Sequence, residues 1–316
     1  MTPETRTFGF MLFPGFSMLS FAAALEPLRI ANRMSGTTLY QWGLLSRDDG
    51  EVLASNNLPF SPTIKLREAD TLDALFLVAG IAAHQLDSEG MRSWLRQRNN
   101  GKRLIGSIST GSLLLARAGL LDRKRCTIHW ESHQSLLEEH SEATVTGELF
   151  EQDGRIWTCS GGVAGLDMML HLIGLQHGNA LMHQVAEQCV HPSIRSSHDK
   201  QRMSLESRLG IHNPKLISAI TLMQNHLEGL LSCEDIARMV GLSYRQMQRL
   251  FSEQLQLTPA QYYLKLRLER ARELLLSSSL PILEVALACG FSTTSHFARC
   301  HREMFGVTPR QLRQKH

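Results

Sequence analysis

Several things are missing from this chain of 316 residues. Its six cysteines, Cys126, Cys159, Cys189, Cys233, Cys289 and Cys300, form no CxxC pair and fall far apart. That scatter argues against a disulfide framework and against a structural zinc site, and it fits a reducing cytoplasm. The expectation is therefore a cytoplasmic protein with no metal and no cofactor. No apolar run reaches the roughly 18 residues of a membrane span. The opening, MTPETRTFGFMLF, lacks the layout of a signal peptide, so no membrane partner is expected. Strong net charge is missing too, since the chain carries only +3. The small figure conceals an imbalance. Residues 200–316 hold 16 Lys and Arg against 9 Asp and Glu, a net of +7, while the remainder is at −4. A basic last third on a mildly acidic body points to a polyanion that binds one part only.

What is present divides the same way. At 43% hydrophobic and 20% charged residues the chain is a folded one, and its length suits two domains. In the first part, short apolar runs at 7–13, 40–46, 74–80, 103–109 and 155–161 alternate with helical patterns. The helical stretches include MLSFAAALEPLRIANRM, SEGMRSWLRQRN, GSLLLARAGLL and GLDMMLHLIGLQHGNALMHQVAEQ. Strands alternating with helices predict an α/β domain with a buried parallel sheet covered by helices. The stretch 47–72 is less regular. Around Ser109, the sequence RLIGSISTGSLLLARAGLL reads as strand, tight turn, helix, the geometry that lifts a nucleophile out of a sheet.

Residues 191–213, rich in Ser, Arg and His, read as a linker between a domain at 1–190 and one at 214–316. Beyond it only helical patterns occur, and one recurs. DIARMVGLSYRQMQRLFSEQLQLTPAQ at 235–261 resembles EVALACGFSTTSHFARCHREMFGVTPRQ at 284–311. Ala237 and Gly241 match Ala286 and Gly290; the second copy then gains a residue, so Arg249 pairs with Arg299. In each copy a Gly closes one helix and a Ser, Ser243 or Ser292, precedes the next. This is the layout of two helix-turn-helix units in an all-α domain, with TPAQ and TPRQ opening the following helices as capping boxes. The predicted partner is double-stranded DNA. The candidate reading residues are Ser243, Tyr244, Arg245, Gln246, Gln248 and Arg249 in the first unit. In the second they are Thr293, Thr294, Ser295, His296 and Arg299. About half should touch DNA, the rest being solvated helix face. Arg249 and Arg299 bind phosphate or pair with a helix acid.

With RLERARELL and the stretch from Ile282 to Arg313, residues 214–316 resemble the AraC/XylS-type DNA-binding domain. His301 stands where that family carries an aromatic residue. The first 190 residues resemble a class I glutamine amidotransferase-like domain of the PfpI type, with a flavodoxin-like sheet. FPGFSMLSFAAALEPLRIAN, SISTGSLLLARAGLLDRKRCTIHW and DGRIWTCSGGVAGLDMML carry the likeness. Regulators that fuse the two domains form a recognised group. FAAALEPLRIAN and VAEQCVHPSIRSSHDKQRM are most similar to its branch responding to glycine betaine, carnitine and related metabolites.

In the hydrolytic relatives the elbow carries a cysteine, with a glutamate from the first helix beside it and a histidine after the next strand. The resemblance places Ser109, Glu26 and His129 there. A serine needs a held general base where a thiol does not, and Gly106 to Gly111 reads G-x-x-S-x-G rather than G-x-S-x-G. The expectation is thus a ligand-sensing transcription factor, not an enzyme. Ser109 and Thr110 would hold a metabolite carboxylate with the backbone amides of the turn. Glu26 would face a positive nitrogen and Trp130 would support it by cation–π contact. Competing readings make Trp130 core, Glu26 a buried acid bonded to the elbow, His129 an interior histidine and Cys159 a small buried hydrophobe. The rival function is a hydrolase, amidase or glyoxalase-like enzyme using Ser109 and His129, with an appended DNA reader. The resemblance further implies a homodimer that recruits RNA polymerase and activates catabolic genes for a quaternary amine or amino-acid derivative.

Overall fold

The computed structural model describes residues 4–86, 88–99 and 101–314. The chain forms two compact units, Met1–Gln201 and Arg202–His316.

Among the described residues, the first unit is built on ten strands. They are β1 (Arg6–Leu12), β2 (Tyr40–Leu45), β3 (Val52–Leu53), β4 (Pro59–Phe60), β5 (Ala74–Ala79), β6 (Leu104–Ser109), β7 (Arg125–Thr127), β8 (Thr144–Thr146), β9 (Phe150–Asp153) and β10 (Ile156–Cys159). Its helices are α1 (Met18–Ser35), α2 (Glu89–Arg98), α3 (Gly111–Arg117), α4 (His133–Glu139), α5 (Ala164–His177) and α6 (Asn179–Gln188). The main sheet runs β2-β1-β5-β6-β10-β9. Its first five strands are parallel, in the flavodoxin-like order 2-1-3-4-5, and β9 adds an antiparallel edge to β10. The sheet is therefore mixed rather than wholly parallel.

Continuous apolar strands are needed because both faces are covered. Along β1, Phe8, Phe10 and Leu12 point to a layer containing α1, α5 and α6, while Met11 faces a second layer with α2, α3 and α4. On β5, Ala74, Phe76 and Val78 join the first layer, and Leu75, Leu77 and Ala79 the second. The irregular stretch 47–72 holds the β3–β4 hairpin. The long helical run after β10 breaks at Gly178, whose φ of +88° ends α5 before α6 begins.

Residues expected as a linker are divided between the units. Those from 191 to 201 are strapped onto the first. Asp167 on α5 is fully buried and accepts from the Arg195 guanidinium at 2.6 and 3.0 Å and from the Arg195 amide at 2.9 Å. His191 Nε2 lies 2.9 Å from Asp167 Oδ1, the oxygen that also takes the Arg195 amide. Leu149 N–H donates to the Ser197 carbonyl. Gln201 ends the strap, its Nε2 3.0 Å from Thr127 Oγ1 and from the carbonyls of Ile128 and Glu148. Polar composition reads as an exposed tether, yet a buried carboxylate requires partners and takes them from this segment.

The second unit is all helical, with α7 (Leu205–Leu209), α8 (Pro214–Asn225), α9 (Cys233–Met239), α10 (Tyr244–Leu255), α11 (Pro259–Ser277), α12 (Ile282–Ala288), α13 (Thr294–Phe305) and α14 (Pro309–Gln314). Two cores form along α11. Tyr262 and Tyr263 pack with α8, α9 and α10, and Leu268, Ala271, Leu274 and Leu275 with α12, α13 and α14. The internal repeat thus reaches one helix further back than its sequence signal, since α8 stands to the first pair as α11 to the second. Each braces the turn of its own pair: Lys215 Nζ donates to the Gly241 carbonyl, and Arg267 donates to those of Cys289 and Gly290.

Candidate functional site

Ser109 ends β6 with φ at +62°, a left-handed conformation that a serine adopts only under constraint. The constraint is visible around it. A Cβ on Gly161 would stand 2.7 Å from Ser109 Cβ, so glycine alone lets the turn after β10 close over the elbow. The next residue, Gly162, donates its N–H to Ser20 Oγ on α1 at 2.8 Å. On the other side, the loops after β1 and β5 touch: a Cβ on Gly80 would be 2.0 Å from the Gly15 carbonyl oxygen. The elbow expected from the sequence is present, at the carboxyl ends of parallel strands, where doubly wound sheets bind ligands.

Its proposed partners are placed less uniformly. Thr110 is buried and its hydroxyl donates to the Gly80 carbonyl, so it fastens the elbow to β5 and leaves α3 without a side-chain cap. Glu26 is not at the elbow. It is half-exposed on α1 and binds Arg29 through Nε at 2.8 Å and the terminal nitrogen at 2.6 Å. The residue of α1 that reaches the elbow is Ser20, 1% exposed, which the sequence reading passed over. The signal was available: Ser20 shares a stripe with the buried Ala24, Leu28 and Ala31, whereas Glu26 falls off it.

His129 follows β7 and caps a short 3-10 turn at Trp130–Ser132, its Nδ1 accepting from the Glu131 N–H at 3.4 Å. Burial holds its pKa below the ordinary histidine value, with Glu131 pulling the other way. Trp130 lies beside it with ring centroids 5.5 Å apart. Among the described residues no hydrogen bond joins His129 to Ser109, so His129 is not in place as its base. Cys159 is fully buried, and burial pushes its thiol up to about 12, which suits an inert packing residue.

In the second unit, Arg245, Gln246, Gln248 and Arg249 are exposed along α10, while Met247 and Phe251 face its core. Ser243 and Gln246 form a reciprocal capping box: Ser243 Oγ accepts from Gln246 N–H at 3.2 Å, and Gln246 Oε1 accepts from Ser243 N–H at 2.8 Å. Their acceptors thus start the helix. Tyr244 is half-buried against the first core. Arg249 meets Glu253 at 3.7 Å.

The second recognition helix opens one residue later than expected, with Thr293 as its N-cap in place of Ser292, accepting from His296 N–H at 3.3 Å. The extra residue of the second copy therefore lies before the cap. Thr294, Ser295, His296 and Arg299 are exposed, and among the described residues Arg299 has no carboxylate partner. Within this register His301 stands opposite Phe251. It is fully buried between Phe297 and Phe305, with ring centroids at 5.7 and 4.8 Å, and its Nδ1 is 2.7 Å from the Val307 carbonyl.

Comparison with known proteins agrees with both units. Residues 12–175 match the DJ-1/PfpI family and residues 236–315 a helix-turn-helix domain. The HTH-type transcriptional regulator CdhR of Pseudomonas aeruginosa is 42% identical over 98% of this chain and 92% of its own length. The regulator GbdR of the same species is 40% identical over 99% of this chain and 86% of its own. Among solved structures, an AraC family transcriptional regulator from Pseudomonas putida superposes with a TM-score of 0.55 at 27% identity, covering 58% of this chain and 99% of that one. No helix among the described residues is long and apolar enough to cross a membrane. With an elbow domain and a paired DNA reader in one chain, and relatives that align along its whole length, this protein belongs to the DJ-1/PfpI family and is a ligand-responsive, AraC-type DNA-binding transcriptional regulator.

Proposed function

We propose that the effector is a small zwitterion (a betaine, carnitine or another amino-acid derivative) bound beside Ser109 at the carboxyl edge of the sheet. The observation that carries this reading is the strained, closely packed elbow whose hydroxyl lacks His129 as its base: the geometry of a catalytic turn without that proton acceptor in place. The first turn of α3, uncapped by Thr110, offers amide donors to a carboxylate. Leu19, Ile81 and Val163 are exposed, and each adjoins a residue that packs on the elbow or its loops, giving N-methyl groups an apolar surround. On this reading Trp130 and His129 complete the pocket. The same arrangement supports a regulator that is not itself an enzyme.

Occupancy is relayed through the strap. Ile128, whose carbonyl binds Gln201, directly precedes His129, so a shift of that histidine bears on the last residue before the reader. The reader then acts as a cytoplasmic homodimer at paired half-sites, recruits RNA polymerase and activates catabolic genes. Of the reading residues, Arg245, Gln248 and Ser295 approach base edges, and Arg299 approaches phosphate.

The deciding experiment is thermal unfolding of the full chain with glycine betaine, carnitine and free amino acids in turn. A ligand at 100 times its Kd stabilises the folded state by about 2.7 kcal/mol and raises the melting temperature. Ser109→Ala should shift the dose-response of promoter activation and leave operator binding intact. If no compound of the set moves the transition, the effector class is wrong.

A further inference from the structure

The effector reading concerns one edge of the sheet; the opposite edge holds a cavity of about 350 Å3. It opens at the amino ends of β1, β5, β6 and β10 and falls within the size range of small-molecule sites. Its floor is aromatic, with Phe8 1% and Trp157 4% exposed. Its rim is rich in donors. Arg6 begins β1, and Arg155 lies in the turn that leads into β10.

Several arginines elsewhere in this unit are paired, among them Arg29 with Glu26, Arg103 with Asp70 and Arg125 with Glu151. Among the described residues, neither the Arg6 nor the Arg155 side chain has a hydrogen-bonding or ionic partner. The acid at the same rim, Asp73, is drawn towards β1, its Oδ2 accepting from Thr7 N–H at 2.7 Å and from the Thr7 hydroxyl at 2.9 Å. Across the cavity, Gln176 Oε1 accepts from the Tyr40 hydroxyl at 2.8 Å, which leaves its NH2 as a donor. Two guanidinium groups and an amide therefore stand over an aromatic floor, with Asp73 Oδ2 and Gln176 Oε1 already engaged. Guanidinium forks match carboxylate oxygens in pairs.

We propose that this cavity is a second ligand site, for a small organic carboxylate with an aliphatic or aromatic body. The carboxylate is taken by the Arg6 and Arg155 rim and the body lies on Phe8 and Trp157. The site is separate from the effector position at Ser109, and it stands or falls independently of that reading.

The test is calorimetric titration of the full chain with sodium benzoate, with sodium butyrate and with inorganic phosphate, at ionic strength held constant with chloride. Benzoate or butyrate should bind the native protein and Ser109→Ala with the same Kd. The Arg6→Gln, Arg155→Gln double variant should bind it at least tenfold more weakly while keeping the native far-UV circular dichroism and thermal unfolding midpoint, which report an intact fold. Weaker binding to Ser109→Ala would place the ligand at the elbow and overturn the proposal. So would preference for phosphate, undiminished binding by the double variant, or no binding of either carboxylate.

Discussion

The guanidinium carbon of Arg267 lies 4.0 Å from the centre of the Phe291 ring, and its nitrogens reach the carbonyls of Cys289 and Gly290 at 2.9 and 2.8 Å. One side chain of α11 thus closes the helix end before the second reader and fixes the glycine, φ +72°, on which the turn pivots. A Cβ at Gly290 would be 2.6 Å from the Leu227 carbonyl oxygen, so that glycine is required by space as well as by conformation.

Arg267→Ala removes two charge-assisted bonds and a cation–π contact, and should cost roughly 3 kcal/mol of stability. Arg267→Lys should recover only part, because an ammonium cannot make the same paired contact. Urea unfolding of both variants decides it; a loss below that of the exposed brace variant Lys215→Ala would refute the assignment.

His301 supplies a pH dependence. Burial holds its pKa below the ordinary histidine value, opposed by the bond to Val307 and assisted by nearby Arg272. A depressed folded pKa means that the unfolded chain takes up the proton first. Stability is then complete above the unfolded value of roughly 6.5 and is lost as pH falls below it. His301→Phe restores the residue type that Phe251 provides in the first reader. The variant should lose less stability than the native chain between pH 7 and 5, measured by urea midpoints; equal slopes would dismiss the idea.

The buried carboxylate of Asp167 makes Arg195 indispensable to the strap. Arg195→Ala leaves that charge with His191 and one amide, which should cost roughly 3 kcal/mol, the low end for a broken buried pair because Arg195 is partly solvated. Residues 191–201 should become the first site cut in limited proteolysis. Cleavage elsewhere first would show that other contacts hold the segment.

The two matched arginines should part company at the operator. Arg299→Ala should weaken binding about equally across sequences and lower the salt slope by about 1, as loss of a phosphate contact does. Arg249→Ala, already engaged with Glu253, should change affinity less. Arg245→Ala should weaken some base positions more than others, read by binding to an operator library.

Local rules were legible in the residues, and long-range ones were not. Ser243, Thr258 and Thr308 cap helices where the sequence says they should, because a cap depends only on its own four residues. The elbow at Ser109 could be read for the same reason. Glu26 was misplaced because a helix contact depends on rotation as well as proximity. Six residues separate it from Ser20, about 240° of turn, so the two face different ways. The extra residue of the second reader was counted correctly, but its position before Thr293 depends on which hydroxyl takes the cap. Nothing in 191–213 announces that Asp167, set within an apolar helix, draws Arg195 to itself across 28 residues.

Gln201 has a further consequence. An amide nitrogen has two hydrogens, and here three oxygens from β7, the residue after it and the approach to β9 compete for them, while its own Oε1 is buried without a partner. Turning the amide over would set oxygen against carbonyl oxygens, so the side chain has one orientation and cannot satisfy every neighbour at once. Such a frustrated joint acts as a vernier. A displacement of a few tenths of an ångström in any of the three segments would change which of these contacts the amide keeps.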